Sequence, residues 1–121
     1  MATTKSWLIL FRHGPFGSSY AREGLDTALV MGAFDQSPTL IFEGDALLLL
    51  LKSTVPDALN LKSTSKGFSA LPLYGIEQLC VRGPDLDRLG LAIQDLSVPV
   101  EVLSDEDIQQ RIRQADHLLS F

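Results

Sequence analysis

The sequence predicts an α/β fold in three layers, with helices on both faces of a mostly parallel sheet of about five strands. Three observations predict it. Short apolar runs alternate with helical periods along the whole chain. The first run passes into a helix through a loop holding Gly14, Pro15 and Gly17, the first half of a βαβ unit. The length, 121 residues with 45% of them apolar, suits a single domain over residues 1–121 with one core.

Each element has a local reason. Residues 6–12, around WLILF, form a bulky apolar run expected as the first strand. Ser18 or Ser19 then stands where a helix cap belongs. Ala21, Leu25, Ala28, Leu29 and Gly32 keep one helical face small and apolar over residues 20–34. Residues 38–43 (PTLIFE) are the second strand, opened by a proline that a first strand position tolerates. Gly44 turns the chain, and Asp45 is placed to cap a short helix over 46–52. Residues 53–64 are polar, carry Pro56, and are expected as a surface loop. A short helix over 65–71 is expected to stop near Pro72. Residues 76–81 (IEQLCV) are the third strand, and Gly83 and Pro84 open a brief helix through Leu89. Residues 98–103 are the fourth strand. Ser104 and Asp107 have capping-box spacing for a helix over 105–115. Residues 117–121 are the fifth strand.

The leucines of residues 46–51 (ALLLLL) are unusual, because a helix apolar all round must be covered on more than one side. Either the following loop or another subunit is expected to cover them. The second alternative predicts a chain that is not a monomer.

Composition excludes several functions. The net charge is −5 and no lysine–arginine cluster exists, which argues against direct nucleic-acid binding. A single cysteine, Cys80, excludes an internal disulfide and a multi-cysteine metal site, and fits a reducing compartment. Two histidines without paired spacing argue against a metal site. The apolar runs are too short for a signal peptide or a membrane span. A cytoplasmic protein without a cofactor is expected.

Sites in open parallel sheets lie at the carboxyl ends of strands, so the loop after the first strand is the first place to look for chemistry. The loop lacks the lysine of a phosphate-binding loop and the spacing of a dinucleotide fingerprint. His13, Ser18, Ser19 and Asp26 contain the residue types of a hydrolytic triad but not the Gly-x-Ser-x-Gly turn. Cys80 admits two readings. It is a small buried hydrophobe, as free cysteines commonly are. Alternatively it is a reactive thiol, sharing a strand face with Arg82, whose cation would favour the thiolate.

Three segments, RHGPFGSSYAREGLDTALVMGAF (12–34), LIFEGDALLLLL (40–51) and LYGIEQLCVRG (73–83), together with the tail ADHLLSF, resemble the DsrE/DsrF/DsrH (TusBCD) sulfur-relay family at its TusC/DsrF type of subunit. The resemblance runs in order over most of the chain. It implies a small α/β subunit of a heterohexamer, partnered by TusD/DsrE-like and TusB/DsrH-like homologues. Such a complex passes persulfide sulfur toward 2-thiolation of a tRNA wobble uridine, or serves sulfur oxidation. The family's sulfur-carrying cysteine lies just after the third strand. Here that position holds Arg82, followed by Gly83, Pro84 and Asp85, so no catalytic cysteine carries over. The resemblance therefore implies an accessory subunit, with Cys80 as a subordinate sulfur-carrier alternative. A homo-oligomeric binding module of the same fold is a third reading. Arg22 and Arg82 are expected to line a partner-facing cleft and to lend a cation to a partner's anionic sulfur.

Overall fold

The computed structural model describes residues 5–16, 18–52 and 67–121. Its centre is one sheet in the order β4-β3-β2-β1-β5, with every pairing parallel. The strands are β1 (Trp7–Phe11), β2 (Thr39–Phe42), β3 (Leu79–Arg82), β4 (Glu101–Leu103) and β5 (His117–Ser120). The helices are α1 (Tyr20–Ala33), α2 (Gly83–Arg88) and α3 (Asp105–Gln114).

The two faces of the sheet are covered unequally. Ile9, Phe11, Leu40, Phe42, Leu79 and Val81 point to the face that α1 and α2 cover. The rings of Phe11 and Phe42 stack at 4.8 Å, and Phe68 meets both edge-on. Leu8, Leu10, Ile41, Cys80 and Leu103 point to the other face, where α3 lays Ile108, Ile112 and Ala115 over them. Strand alternation makes this division, because successive side chains leave a strand on opposite sides. The expected three layers and five parallel strands are therefore present.

Helix ends show where local chemistry prevailed. Ser104 accepts a hydrogen bond from the Asp107 N–H at 3.2 Å, and Asp107 Oδ2 accepts one from the Ser104 N–H at 3.2 Å. The capping box is formed. At α1, Ser19 holds the cap position without a side-chain cap bond. Its backbone, at φ −93° and ψ 3°, is not the extended conformation from which a serine hydroxyl reaches into the first turn.

The leucine run departs from expectation in helix type, and the following loop expected to cover it lies outside the described residues. The run is a 3-10 helix, Gly44–Leu50, with Asp45 inside it rather than capping it. Three residues per turn align positions three apart. Ala46 with Leu49, and Leu47 with Leu50, form two fully buried rows, while Leu48 and Leu51 form a half-buried third. Among the described residues, 95–98 contribute to the cover. Ser97 N–H donates to the Leu50 carbonyl at 2.7 Å, Lys52 N–H donates to the Asp95 carbonyl at 3.0 Å, and Leu96 and Val98 are buried in the same core. The chain itself covers these leucines, so they give no reason to invoke a second subunit.

The loop expected over 53–64 lies outside the described residues. Residues 67–69 are helical, and that helix ends at a turn at Ala70, just before Pro72. Pro72 sits near the start of a second 3-10 helix, Leu71–Tyr74, where a missing N–H leaves no bond unmade. Among the described residues, no helix is long and apolar enough to cross a membrane.

Candidate functional site at the carboxyl edge of the sheet

All five strands run in one direction, so their carboxyl ends share an edge. Arg82 is the last residue of β3 and projects at that edge. Its Nε donates to Asp105 Oδ1 at 2.6 Å and its Nη2 to Asp105 Oδ2 at 3.0 Å. Its Nη1 lies 3.1 Å from Asp85 Oδ1. The planar fork of arginine suits this two-bond grip on a carboxylate. The grip ties the end of β3 to the first turn of α3.

Asp85 is the hub of the cluster and the only buried charged residue among those described. Its Oδ2 accepts the Gly44 N–H at 2.6 Å, and Oδ1 accepts from Arg88 Nε at 3.3 Å. Arg88 reaches on to Asp45 Oδ1 at 3.2 Å. Gly44 presents its N–H from a left-handed conformation, φ +57°, that glycine adopts without strain. Burial raises the Asp85 pKa, but the Gly44 N–H and the two guanidiniums outweigh it and hold the carboxyl below its ordinary range. Asp105 is likewise lowered, chiefly by its bonds to Arg82. The glycine loop closes against the same cluster. A Cβ on Gly14 would stand 3.0 Å from the Asp45 carbonyl oxygen.

The cluster sets two arginines among three aspartates, so the charge of Arg82 is spent within it. Arg22, the other cleft residue expected from the sequence, does not join. It is exposed in the first turn of α1 and has no hydrogen bond or ion pair among the described residues, with Asp26 or any other partner. Of the two arginines, only Arg22 presents an unneutralised cation.

Cys80 lies elsewhere, in the middle of β3 beneath α3. It is fully buried. Burial pushes its pKa up to about 11; the neighbouring Arg111 draws it down and Glu101 raises it further. The thiol sulfur is 4.0 Å from Glu101 Oε2, and Arg111 Nη2 binds both oxygens of Glu101 at 3.1 and 3.0 Å. The expected cation beside the thiol is thus Arg111, not Arg82, and the thiol is protonated at neutral pH. Sequence reasoning missed Arg111. Its signal was the spacing Ile108, Arg111, Ile112, which puts the arginine on the flank of the buried stripe.

The other residues weighed for chemistry stay apart. His13 packs against the Tyr20 ring at 4.7 Å and makes no bond to Ser18, Ser19 or Asp26. His117 stacks on Trp7 at 4.3 Å. No group of His, Cys, Asp and Glu able to hold a metal ion occurs among the described residues.

A parallel five-stranded sheet with helices on both faces and a polar cluster at its carboxyl edge defines a small three-layer α/β protein. The chain belongs to the DsrE/DsrF-like family, whose model matches residues 5–121. It is 38% identical to the protein TusC homolog of Vibrio parahaemolyticus over 93% of this chain and 95% of that one. It is 33% identical to the protein TusC homolog of Pseudomonas aeruginosa over 98% and 99%. The ychN protein of E. coli has the same fold, with a TM-score of 0.76 over 97% of this chain and 99% of that one, at 19% identity.

Proposed function

We propose that this chain is an accessory subunit of a sulfur-relay complex rather than a sulfur carrier itself. One observation carries the reading. The end of β3, where the family resemblance places the carrying cysteine, holds Arg82 locked between Asp85 and Asp105. The only thiol is closed beneath α3 and protonated. A persulfide carrier needs an accessible thiolate, which attacks the terminal sulfur of the donor while the donor cysteine leaves as its own thiolate. Neither position offers one.

In this reading the carrier cysteine belongs to a TusD/DsrE-like partner, and a TusB/DsrH-like subunit completes a cytoplasmic heterohexamer. The TusC homologues among the relatives favour the branch that leads to tRNA wobble-uridine 2-thiolation over the one that serves sulfur oxidation. The surface supports a subunit role. Val30 of α1, Phe34 at its C-terminal cap, and Leu73 and Tyr74 of the adjoining 3-10 helix are all more than half exposed, and Gly32 holds the two segments close. Arg22 supplies the unpaired cation at the edge facing the partner's sulfur.

The test is transfer of labelled persulfide sulfur by the reconstituted complex. Cys80→Ala is expected to leave transfer intact, and Arg22→Ala to slow it without dissociating the complex. Label on Cys80 in the working complex, or loss of transfer in an assembled Cys80→Ala complex, makes this chain a carrier and rejects the reading.

A further inference from the structure

We propose that the cavity at the amino ends of β1 and β2, roofed by the last turn of α3, binds a small neutral amide whose carbonyl accepts from Arg111. The inference goes beyond the relay reading and does not depend on it. The cavity holds about 150 Å³, the space that takes a benzene-sized molecule of about six heavy atoms. It lies at the opposite end of the strands from the cluster of Arg82, Asp85 and Asp105.

The fold leaves this space for a local reason. Leu8 and Thr39 are register partners near the starts of β1 and β2, on the face that α3 covers. α3 begins at the carboxyl edge, where Asp105 meets Arg82, and ends at Gln114, from which the chain turns at Ala115 into β5. The roof therefore stops above the first residues of the strands. Arg111, Gln114 and Ala115, three and four positions apart on one helical face, line one side of the gap. Leu8 and Thr39 line the other, and Leu8 with Ala115 gives the space its apolar surface.

The polar groups select the ligand. The hydrogen bonds of Arg111 to Glu101 both leave from Nη2, at 3.1 and 3.0 Å, so Nε and Nη1 keep N–H groups for a second acceptor. The Cys80 sulfur, which also draws on this guanidinium, is a weak acceptor. The Thr39 hydroxyl and the Gln114 side-chain amide make no hydrogen bond among the described residues, and each can both donate and accept. The Ser6 hydroxyl is already engaged by Asp116 and the Gln114 carbonyl. A guest must therefore accept from Arg111 and exchange bonds with Thr39 and Gln114. An amide does both, whereas a carboxylate only accepts. Charge decides the same way. Glu101 already neutralises Arg111, and Asp116, which accepts the Ser6 N–H at 2.8 Å, stands beside the rim. An anionic guest would meet two carboxylates, while a neutral carbonyl still gains a charge-assisted hydrogen bond.

The experiment titrates the full chain with butanamide and, separately, with butanoate, to about 100 mM at constant ionic strength. The two probes have the same shape and differ in charge and in hydrogen-bond donors. Proton–nitrogen correlation spectra are the readout. Butanamide is expected to move the backbone signals of Leu8 and Thr39 and the side-chain signals of Arg111 and Gln114 along one saturable curve, with a dissociation constant of about 1–20 mM. Butanoate is expected to bind about fivefold more weakly. Ala115→Leu fills the cavity and is expected to abolish binding. Thr39→Val keeps a good strand former and removes only the hydroxyl. It is expected to weaken binding about three- to tenfold with unchanged far-ultraviolet circular dichroism, which covers the case of a filled variant that fails to fold. No saturable shift with butanamide overturns the proposal. So does butanoate binding as tightly as butanamide, or butanamide binding undiminished in Thr39→Val or in a folded Ala115→Leu.

Discussion

Arg82 grips Asp105 through two nitrogens, at 2.6 and 3.0 Å, and in doing so fastens the end of β3 to the start of α3. The same guanidinium leans on buried Asp85, which holds the loop after β2 by the Gly44 N–H. The end of β3 is therefore a joint between three segments rather than an open site.

Arg82→Ala is expected to destabilise more than Asp105→Asn. Losing Asp105 leaves Arg82 with Asp85, whereas losing Arg82 leaves Asp85 with a buried charge less well paired. Urea denaturation of the two variants and the double variant checks the order. Equal midpoints for the two single variants contradict it.

Asp85→Ala is expected to cost about 1–3 kcal/mol at neutral pH, since it orphans the Gly44 N–H and two guanidiniums. The sign with pH follows from its lowered pKa. The carboxylate contributes fully above the ordinary value of 3.8 and loses that contribution as pH falls below it. The gap in melting temperature between wild type and Asp85→Ala should thus narrow as pH falls below 3.8. A gap constant over that range contradicts the linkage.

The Cys80 thiol is expected to resist alkylation in the native protein at pH 8 and to react in denaturant. Its ordinary value of 9.0 rises to about 11 on folding, so the unfolded chain ionises first. Stability contributed by the neutral thiol is present below pH 9.0 and declines as pH rises toward 11. Cys80→Ala should remove that alkaline component. Rapid native alkylation would mean that the roof of α3 opens.

Glu101→Gln is expected to lower the Cys80 pKa, and Arg111→Ala to raise it. Glu101 raises the thiol pKa and Arg111 lowers it, and the two are bound to each other. Thiolate absorbance during a pH titration reads both. Shifts of the same sign contradict the arrangement.

Gly24→Ala is expected to destabilise by about 1–3 kcal/mol, although alanine is the better helix former. A Cβ at Gly24 would run into the Phe11 ring, standing 2.9 Å from Cζ, and would lie 3.1 Å from Phe121 Cδ2. Phe11 is fully buried among Phe42 and Phe68 and has nowhere to retreat. Thermal melts of the variant decide; an unchanged or raised midpoint means that the rings repack.

The strands, α1 and α3 and their order were legible in the sequence, because apolar periodicity and capping chemistry are local. WLILF buries on both faces of a sheet, and Ser104 with Asp107 caps α3 through bonds spanning three residues. The family was legible for the same reason, since its motifs are contiguous. What only the tertiary structure decided depends on residues far apart in the chain. Periodicity marked 46–51 as buried, but residues 95–98 contribute to the cover, and packing turned a run of leucines into a 3-10 helix. Arg82 was visible as the residue in the cysteine position, but its neutralisation required Asp105, 23 positions away. Cys80 was visible as the lone thiol, but its fate rests on Glu101 and Arg111, which α3 brings over the sheet. Charge and pKa depend on distance in space, and the chain fixes that distance only once β3, β4 and α3 have packed.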